Sequence, residues 1–215
     1  TVAMRRPPAM QLRRAASASA SAASGAGGGA GGGLSKAELA GRLQGQVVLA
    51  PLTRGGHLPF RRLCADFGAD VLWGEMAFAR EMLRGSPKEK ALLKRAPNER
   101  TFGVQIATNR IDEGVGAARM AAAAGADFMD LNCGCPIHEV TRRGMGARLL
   151  RSPTKLARLV SGIAEEIAPF PLTVKIRTGM EEGKINCLQV AQEMEAAGAA
   201  AVTLHGRTMK VNTAF

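Results

Sequence analysis

The chain has 215 residues, 46% of them hydrophobic, with a net charge of +11 and four cysteines. That length suits one good-sized core, and no apolar run reaches the ~18 residues of a membrane-spanning helix. Cys64, Cys133, Cys135 and Cys187 are too few and too oddly spaced for a secreted disulfide framework, and no histidine pair at ligand spacing accompanies them. A reducing compartment, cytoplasm or nucleus, is therefore expected, and no metal site.

The first 33 residues are low in complexity: Arg5, Arg6, Arg13 and Arg14 among Ala and Ser, then a glycine tract from Gly25 to Gly33, with no Asp or Glu. Such a stretch cannot bury enough apolar surface to fold and is expected to be disordered. Its composition fits an organellar transit peptide starting at Met4. It fits equally a flexible linker to something upstream, since the chain opens on Thr1. Removing those four arginines from the 29 basic residues leaves 25 against 18 acidic ones in residues 34–215. The surplus is compatible with a polyanionic partner such as RNA, or with a merely soluble basic surface.

From Leu34 short apolar runs alternate with helical patterns. The runs are Val47–Ala50, Val71–Gly74, Phe102–Ala107, Phe128–Leu131, Leu172–Ile176 and Ala201–Leu204. Short and continuously apolar, they suit a buried parallel sheet. Pro59 opens a helix with Phe60, Leu63, Cys64 and Phe67 on one face. Ser152 and Pro153 read as an N-cap and first helical position, followed by an apolar face of Leu156, Leu159, Val160, Ile163 and Ile167. Gly68, Gly125 and Gly198 each stand between a helical pattern and the next strand, as a C′ glycine does. Alternating strand and helix, without antiparallel hairpin signals, predicts an α/β fold: a (β/α) barrel or a doubly wound sheet.

In a (β/α)8 barrel, active sites form at the C-terminal strand ends. Here each predicted strand ends in polar or irregular residues: Pro51-Leu52-Thr53, Glu75, Gln105, Asn132-Cys133-Gly134-Cys135, Lys175 with Arg177, and His205-Gly206-Arg207. Lys175 suits the electron-rich edge of a reduced flavin, Gln105 a planar amide-like ring edge, and His205 a phosphate. Cys135 suits a general acid, a thiol that stays protonated until it acts. The basic stretch Arg142-Arg143-Gly144-Met145-Gly146 reads either as a polyanion contact or as an ordinary surface loop.

Taken in order, Ala50-Pro51-Leu52-Thr53, Leu58-Pro59-Phe60-Arg61, Gly74-Glu75-Met76, Phe102-Gly103-Val104-Gln105, Asn132 with Gly134-Cys135-Pro136, Thr173-Val174-Lys175-Ile176-Arg177-Thr178-Gly179 and His205-Gly206-Arg207-Thr208 resemble the tRNA-dihydrouridine synthases. The match looks closest to the eukaryotic branch that modifies the tRNA variable loop. The resemblance implies a TIM barrel of which about six of eight units are present. It also implies FMN, NADPH or NADH as reductant, and tRNA as substrate. Cys135 would be the proton donor. Pro51, Leu52, Thr53, Gln105, Lys175 and His205 would hold FMN. Asn132 and Arg177, with Arg142 and Arg143, would contact the substrate, and Cys133 would be non-catalytic. No membrane association and no obligate protein partner are implied. After Thr208 the chain departs from the family pattern, which leads us to expect a C-terminal truncation with two open sheet edges. Two alternatives remain: an FMN barrel acting on a free pyrimidine, as dihydroorotate dehydrogenases do, and a catalytically inactive truncated isoform.

Overall fold

The computed structural model describes residues 34–210; the low-complexity segment lies outside them. In chain order the elements are α1 (Lys36–Leu43), β1 (Val48–Leu49), α2 (Leu58–Asp66), β2 (Val71–Trp73), β3 (Ala77–Phe78), α3 (Ala79–Leu83), α4 (Pro87–Ala91), β4 (Thr101–Ala107), α5 (Ile111–Ala123), β5 (Phe128–Cys133), α6 (His138–Thr141), a 3-10 helix (Gly146–Arg151), α7 (Pro153–Ile167), β6 (Leu172–Arg177), β7 (Gly179–Glu181), β8 (Lys184–Ile185), α8 (Cys187–Ala196) and β9 (Ala201–His205). All six predicted strands are present. They lie side by side, all parallel, in the order β1-β2-β4-β5-β6-β9. Sequential parallel neighbours with helices between them make the curled sheet of a partial TIM barrel. Among the described residues β1 and β9 are its edges, and Val48 and Leu204 there are exposed. No described helix is long and apolar enough to cross a membrane.

Two cores sandwich the sheet. On the outside, Phe102, Val104, Ile106, Met129, Leu131, Val174 and Ile176 meet the helices. The predicted face of α7 is part of this layer, with Leu156, Leu159, Val160, Ile163 and Ile167 all buried. Gly68, Gly125 and Gly198 adopt positive φ at the helix ends, as their spacing predicts. Ser152 caps α7 in position only, because its side chain makes no capping bond. On the inside, α1 plugs the N-terminal end of the barrel. A reciprocal Ser35–Glu38 capping box starts it, and Leu39 packs with Val71, Trp73 and Phe128.

Trp73 and Phe128 form an edge-to-face pair, 5.2 Å between ring centroids. Gly103 lies between their strands, and a Cβ there would come within 2.2 Å of the Phe128 ring. Gly103→Ala should therefore displace Phe128 and loosen the stack. The expected loss is roughly 1–3 kcal/mol, the usual range for overpacking. Trp73 is the only tryptophan, so its fluorescence and the denaturant midpoint report the change together.

Two expectations need correction. Leu63 and Phe67, predicted to pack, are 52% and 70% exposed, and the buried residue of α2 is Arg61. Arg61 Nε donates to Glu99 Oε1 at 2.7 Å, Nη1 to the Gly56 carbonyl and Nη2 to the Lys94 carbonyl. An apolar stripe needs a neighbour to bury it, and α2 follows an edge strand. The second correction is an antiparallel hairpin, β7–β8, with Gly183 at φ 81° in its turn. Gly183 was its sequence signal.

Candidate active site

The C-terminal strand ends open onto a cleft of about 320 Å³. Pro51, Leu52 and Thr53 after β1, Gln105 on β4, Asn132 on β5, Cys135 beyond it, Lys175 and Arg177 on β6, and His205 on β9 line it. These are all the predicted site residues except Arg142 and Arg143. Glu75 stays out of the lining. Its carboxylate accepts the N–H of Arg54, whose left-handed φ of 61° it helps to hold.

Alternation along β5 separates the residues that the motif runs together. Cys133 joins the helix-side core, where burial, followed by Asp130, pushes its thiol well above the ordinary range. Asp130 and Asn132 turn into the barrel. Register sets Gln105 beside Asp130, Asp130 beside Thr173, and Asn132 beside Lys175. Gln105 Nε2 donates to Asp130 Oδ2 at 2.7 Å, and Thr173 Oγ1 donates to Asp130 Oδ1 at 2.6 Å. Asn132 Nδ2 donates to Gln105 Oε1 at 2.8 Å. Asn132 Oδ1 then accepts the backbone N–H groups of Gly134 (3.1 Å) and Cys135 (2.8 Å). A continuous buried chain thus runs from Thr173 to the backbone of Cys135.

Two further contacts fix the Cys135 loop. Arg177 donates from Nε to the Gly134 carbonyl at 2.5 Å and from Nη1 to the Thr208 carbonyl at 2.9 Å. Gly146, at φ 60°, packs so closely that a Cβ would lie 2.6 Å from the Cys135 carbonyl. The Ala147 N–H donates to that same carbonyl at 3.0 Å. Cys135 is 7% exposed, at the cleft wall.

Charges in the cleft work against one another. Burial pushes the Asp130 carboxyl up to about 6, although Gln105, Thr173 and Lys175 favour its charged form. Lys175 is pulled below the usual lysine range by burial and by Arg177, while Asp130 opposes the shift. His205 is pulled down by burial and then by Arg177, Lys175 and Arg207, which favours the neutral imidazole.

The lining has no carboxylate and two cations, Lys175 and Arg177. Lys175 Nζ makes no hydrogen bond to protein among the described residues, and Gln105 keeps one amide hydrogen unused. Beside the apolar surface of Pro51 and Leu52, this donor set fits a planar, electron-rich ligand carrying an anionic group. Among the described residues no cluster of His, Cys, Asp and Glu could hold a metal ion.

Arg142 and Arg143 lie elsewhere. Both pair with Glu139, Arg142 at 2.7 Å, and hold that carboxyl below its usual range. Arg143 also sits over the Phe78 ring, 4.9 Å from its centroid. Sequence reasoning missed Asp130 and Thr173 as site-building residues. Counting back two positions from Asn132 would have put Asp130 on the same face.

The sequence model described as "Dihydrouridine synthase (Dus)" matches residues 48–214. A Coprinopsis cinerea protein named "tRNA-dihydrouridine(47) synthase [NAD(P)(+)]" is 45% identical over 169 residues, 77% of this chain and 25% of that protein. Human and Oryza sativa proteins named "tRNA-dihydrouridine(47) synthase [NAD(P)(+)]-like" are 43% and 40% identical, over 77% and 76% of this chain and 26% and 24% of theirs. The chain thus spans about a quarter of the length of the curated relatives it matches. A solved 2,3-dimethylmalate lyase of the PEP mutase/isocitrate lyase superfamily aligns with a TM-score of 0.51 and 12% identity, over 81% of this chain and 63% of that one, a likeness of fold alone. With the family's sequence model covering the whole sheet and the cleft, the chain belongs to the dihydrouridine synthase family.

Proposed function

We propose that residues 34–215 belong to the catalytic barrel of a tRNA-dihydrouridine synthase that uses FMN and NADPH or NADH. The observation that carries this reading is the convergence of Gln105, Lys175, Arg177 and His205 on one carboxylate-free cleft around Cys135. The relatives' names support tRNA as substrate, NAD(P)H as reductant and nucleotide 47 as the target.

Lys175, Gln105 and His205 would hold FMN, with Pro51, Leu52 and Thr53 against its ring. When bound there, FMN would supply the hydride, drawn from the nicotinamide, that reduces C6 of the uracil ring. Cys135 Sγ–H gives its proton to C5, so the ring gains one hydride and one proton across C5–C6. Solvent then reprotonates the thiolate. Asn132 keeps one amide hydrogen and Arg177 keeps Nη2 for the base, while their other bonds hold the Cys135 loop. The target uridine must leave the RNA stack to enter.

The test pairs two measurements on the intact protein. Purified protein should release flavin on denaturation. Transfer RNA from cells lacking the gene should lose one dihydrouridine, restored by re-expression. Flavin-free protein together with unchanged tRNA would sink the proposal. Reduction of a free pyrimidine but not of tRNA would favour the alternative enzyme class.

A further inference from the structure

A second cleft of about 540 Å³ is lined by Arg148, Arg151, Lys155, Ser152 and Asn109 over Leu149, Leu156 and Leu159, with no carboxylate. None of the three cations makes a salt bridge or side-chain hydrogen bond among the described residues, and all three are exposed. Arg148 and Arg151 also line the next cleft, where Glu181 is held between Lys184 and Lys210. Five cations thus face one carboxylate along this ridge. Among the described residues of these two clusters, Arg148, Arg151 and Lys155 are the free ones: Glu139 already engages Arg142 and Arg143, as Glu181 engages Lys184 and Lys210.

The ridge is tied to the chemistry. The 3-10 helix that carries Arg148 and Arg151 begins at Gly146 and Ala147, the residues packed on the Cys135 carbonyl. The segment that carries these cations is thus anchored on the backbone of Cys135 itself. We propose that Arg148, Arg151 and Lys155, flanked by Lys184 and Lys210, bind the phosphate backbone of the RNA strand whose uridine enters the Cys135 cleft. This assignment rests on the proposed function and adds the surface that grips the substrate. A free pyrimidine has no use for such a ridge. An extruded nucleotide brings the phosphates of its neighbours with it, and exposed, unpaired cations are what neutralise them.

The experiment measures tRNA binding by the intact protein across a salt series. Arg148→Ala/Arg151→Ala/Lys155→Ala should weaken binding roughly ten- to hundredfold near physiological salt. It should also flatten the plot of log K against log salt by about 2 to 3. Arg142→Ala/Arg143→Ala, by comparison, should flatten it by less than 1. Retained flavin shows that the triple variant is folded. If that variant fails to fold, protection of Lys155 from acylation by bound tRNA in the unsubstituted protein reads the same contact. An unchanged salt slope, or no protection of Lys155, overturns the assignment. Protection by an acidic polypeptide but not by tRNA also overturns it, in favour of a protein partner. Either failure in a protein that still makes dihydrouridine leaves the function intact, whereas loss of all flavin and dihydrouridine in the unsubstituted protein removes the reading beneath it.

Discussion

Cys135→Ala should lower dihydrouridine formation by about 10³-fold or more while leaving bound flavin in place. A positioned general acid typically contributes 10²- to 10⁴-fold, and the neighbours are poor replacements, Lys175 being engaged by the flavin in the proposed reading. Cys133, two residues away, faces the helix layer and is fully buried there. Asn132 is committed through its carbonyl to the backbone of Gly134 and Cys135. Arg177 is a poor acid, and two of its nitrogens already hold carbonyls of the loop and of Thr208. His205 is shifted toward its neutral form. Flavin should survive because Gln105, Lys175 and His205 are untouched and the loop is fixed through backbone groups, which alanine keeps. Cys135→Ser separates the proton from the shape. It retains an O–H but makes a weaker acid, so its rate should fall between those of the parent and the alanine variant. Counting dihydrouridine per tRNA by mass spectrometry beside flavin absorbance resolves the two effects. Normal turnover in Cys135→Ala would refute the acid role, and flavin loss in both variants would make Cys135 a binding residue.

Much of this site is legible in the sequence because parallel strands impose strict bookkeeping on side chains. Each apolar run has one exit, and six exits in a curled sheet have to meet, so Gln105, Asn132, Lys175 and His205 converge without any further signal. Period-2 alternation parts Cys133 from Asn132, and Cys135 leaves the helix-side face only because the strand ends at Cys133. The failures share a different origin. Spacing shows that Leu63 and Phe67 share a face of α2, but only tertiary neighbours decide whether that face is buried. The Arg142-Arg143 pair is conspicuous as a dipeptide, yet both guanidinium groups are already engaged by Glu139 one helical turn earlier, which cancels half their charge. Arg148, Arg151 and Lys155 are scattered in sequence and gather only because a 3-10 helix and the first turn of α7 bring them to one cleft. Asp130 was hidden by its company, since in an apolar strand it reads as the start of the motif and not as the acceptor that organises it.

Asp130 carries the largest expected effect on stability, and two substitutions divide its roles. Asp130→Ala leaves Gln105 Nε2 without its buried acceptor and forces Thr173 Oγ1 back to the Met129 carbonyl, 3.5 Å away. Unsatisfied buried groups cost about 1–3 kcal/mol each, so a loss of roughly 2–5 kcal/mol is expected. Gln105 is then free to rotate, Asn132 loses its orienting partner, and the Cys135 loop loosens, so turnover should fall even where the protein remains folded. Asp130→Asn keeps an acceptor for Gln105 and offers a donor to Thr173, whose hydroxyl can turn to accept it. What it removes is ionisation. The folded-state value of about 6 lies above the ordinary 3.8. Between those values the native state holds the extra proton, so its stability falls as pH rises from about 4 to about 6. The full penalty, on the order of 3 kcal/mol, is present above pH 6. The asparagine variant should lack this slope and should gain on the parent across that window in chemical denaturation. Its weakness lies in Lys175, for which Asp130 is the charge partner that opposes the pull of burial and Arg177. With asparagine, Lys175 should lose its proton at lower pH, and flavin affinity should decline earlier on the alkaline side than in the parent. A parent stability profile flat from pH 4 to 6, or identical alkaline flavin profiles for parent and variant, would show that Asp130 fixes Gln105 by hydrogen bonding alone and that its charge does nothing for Lys175.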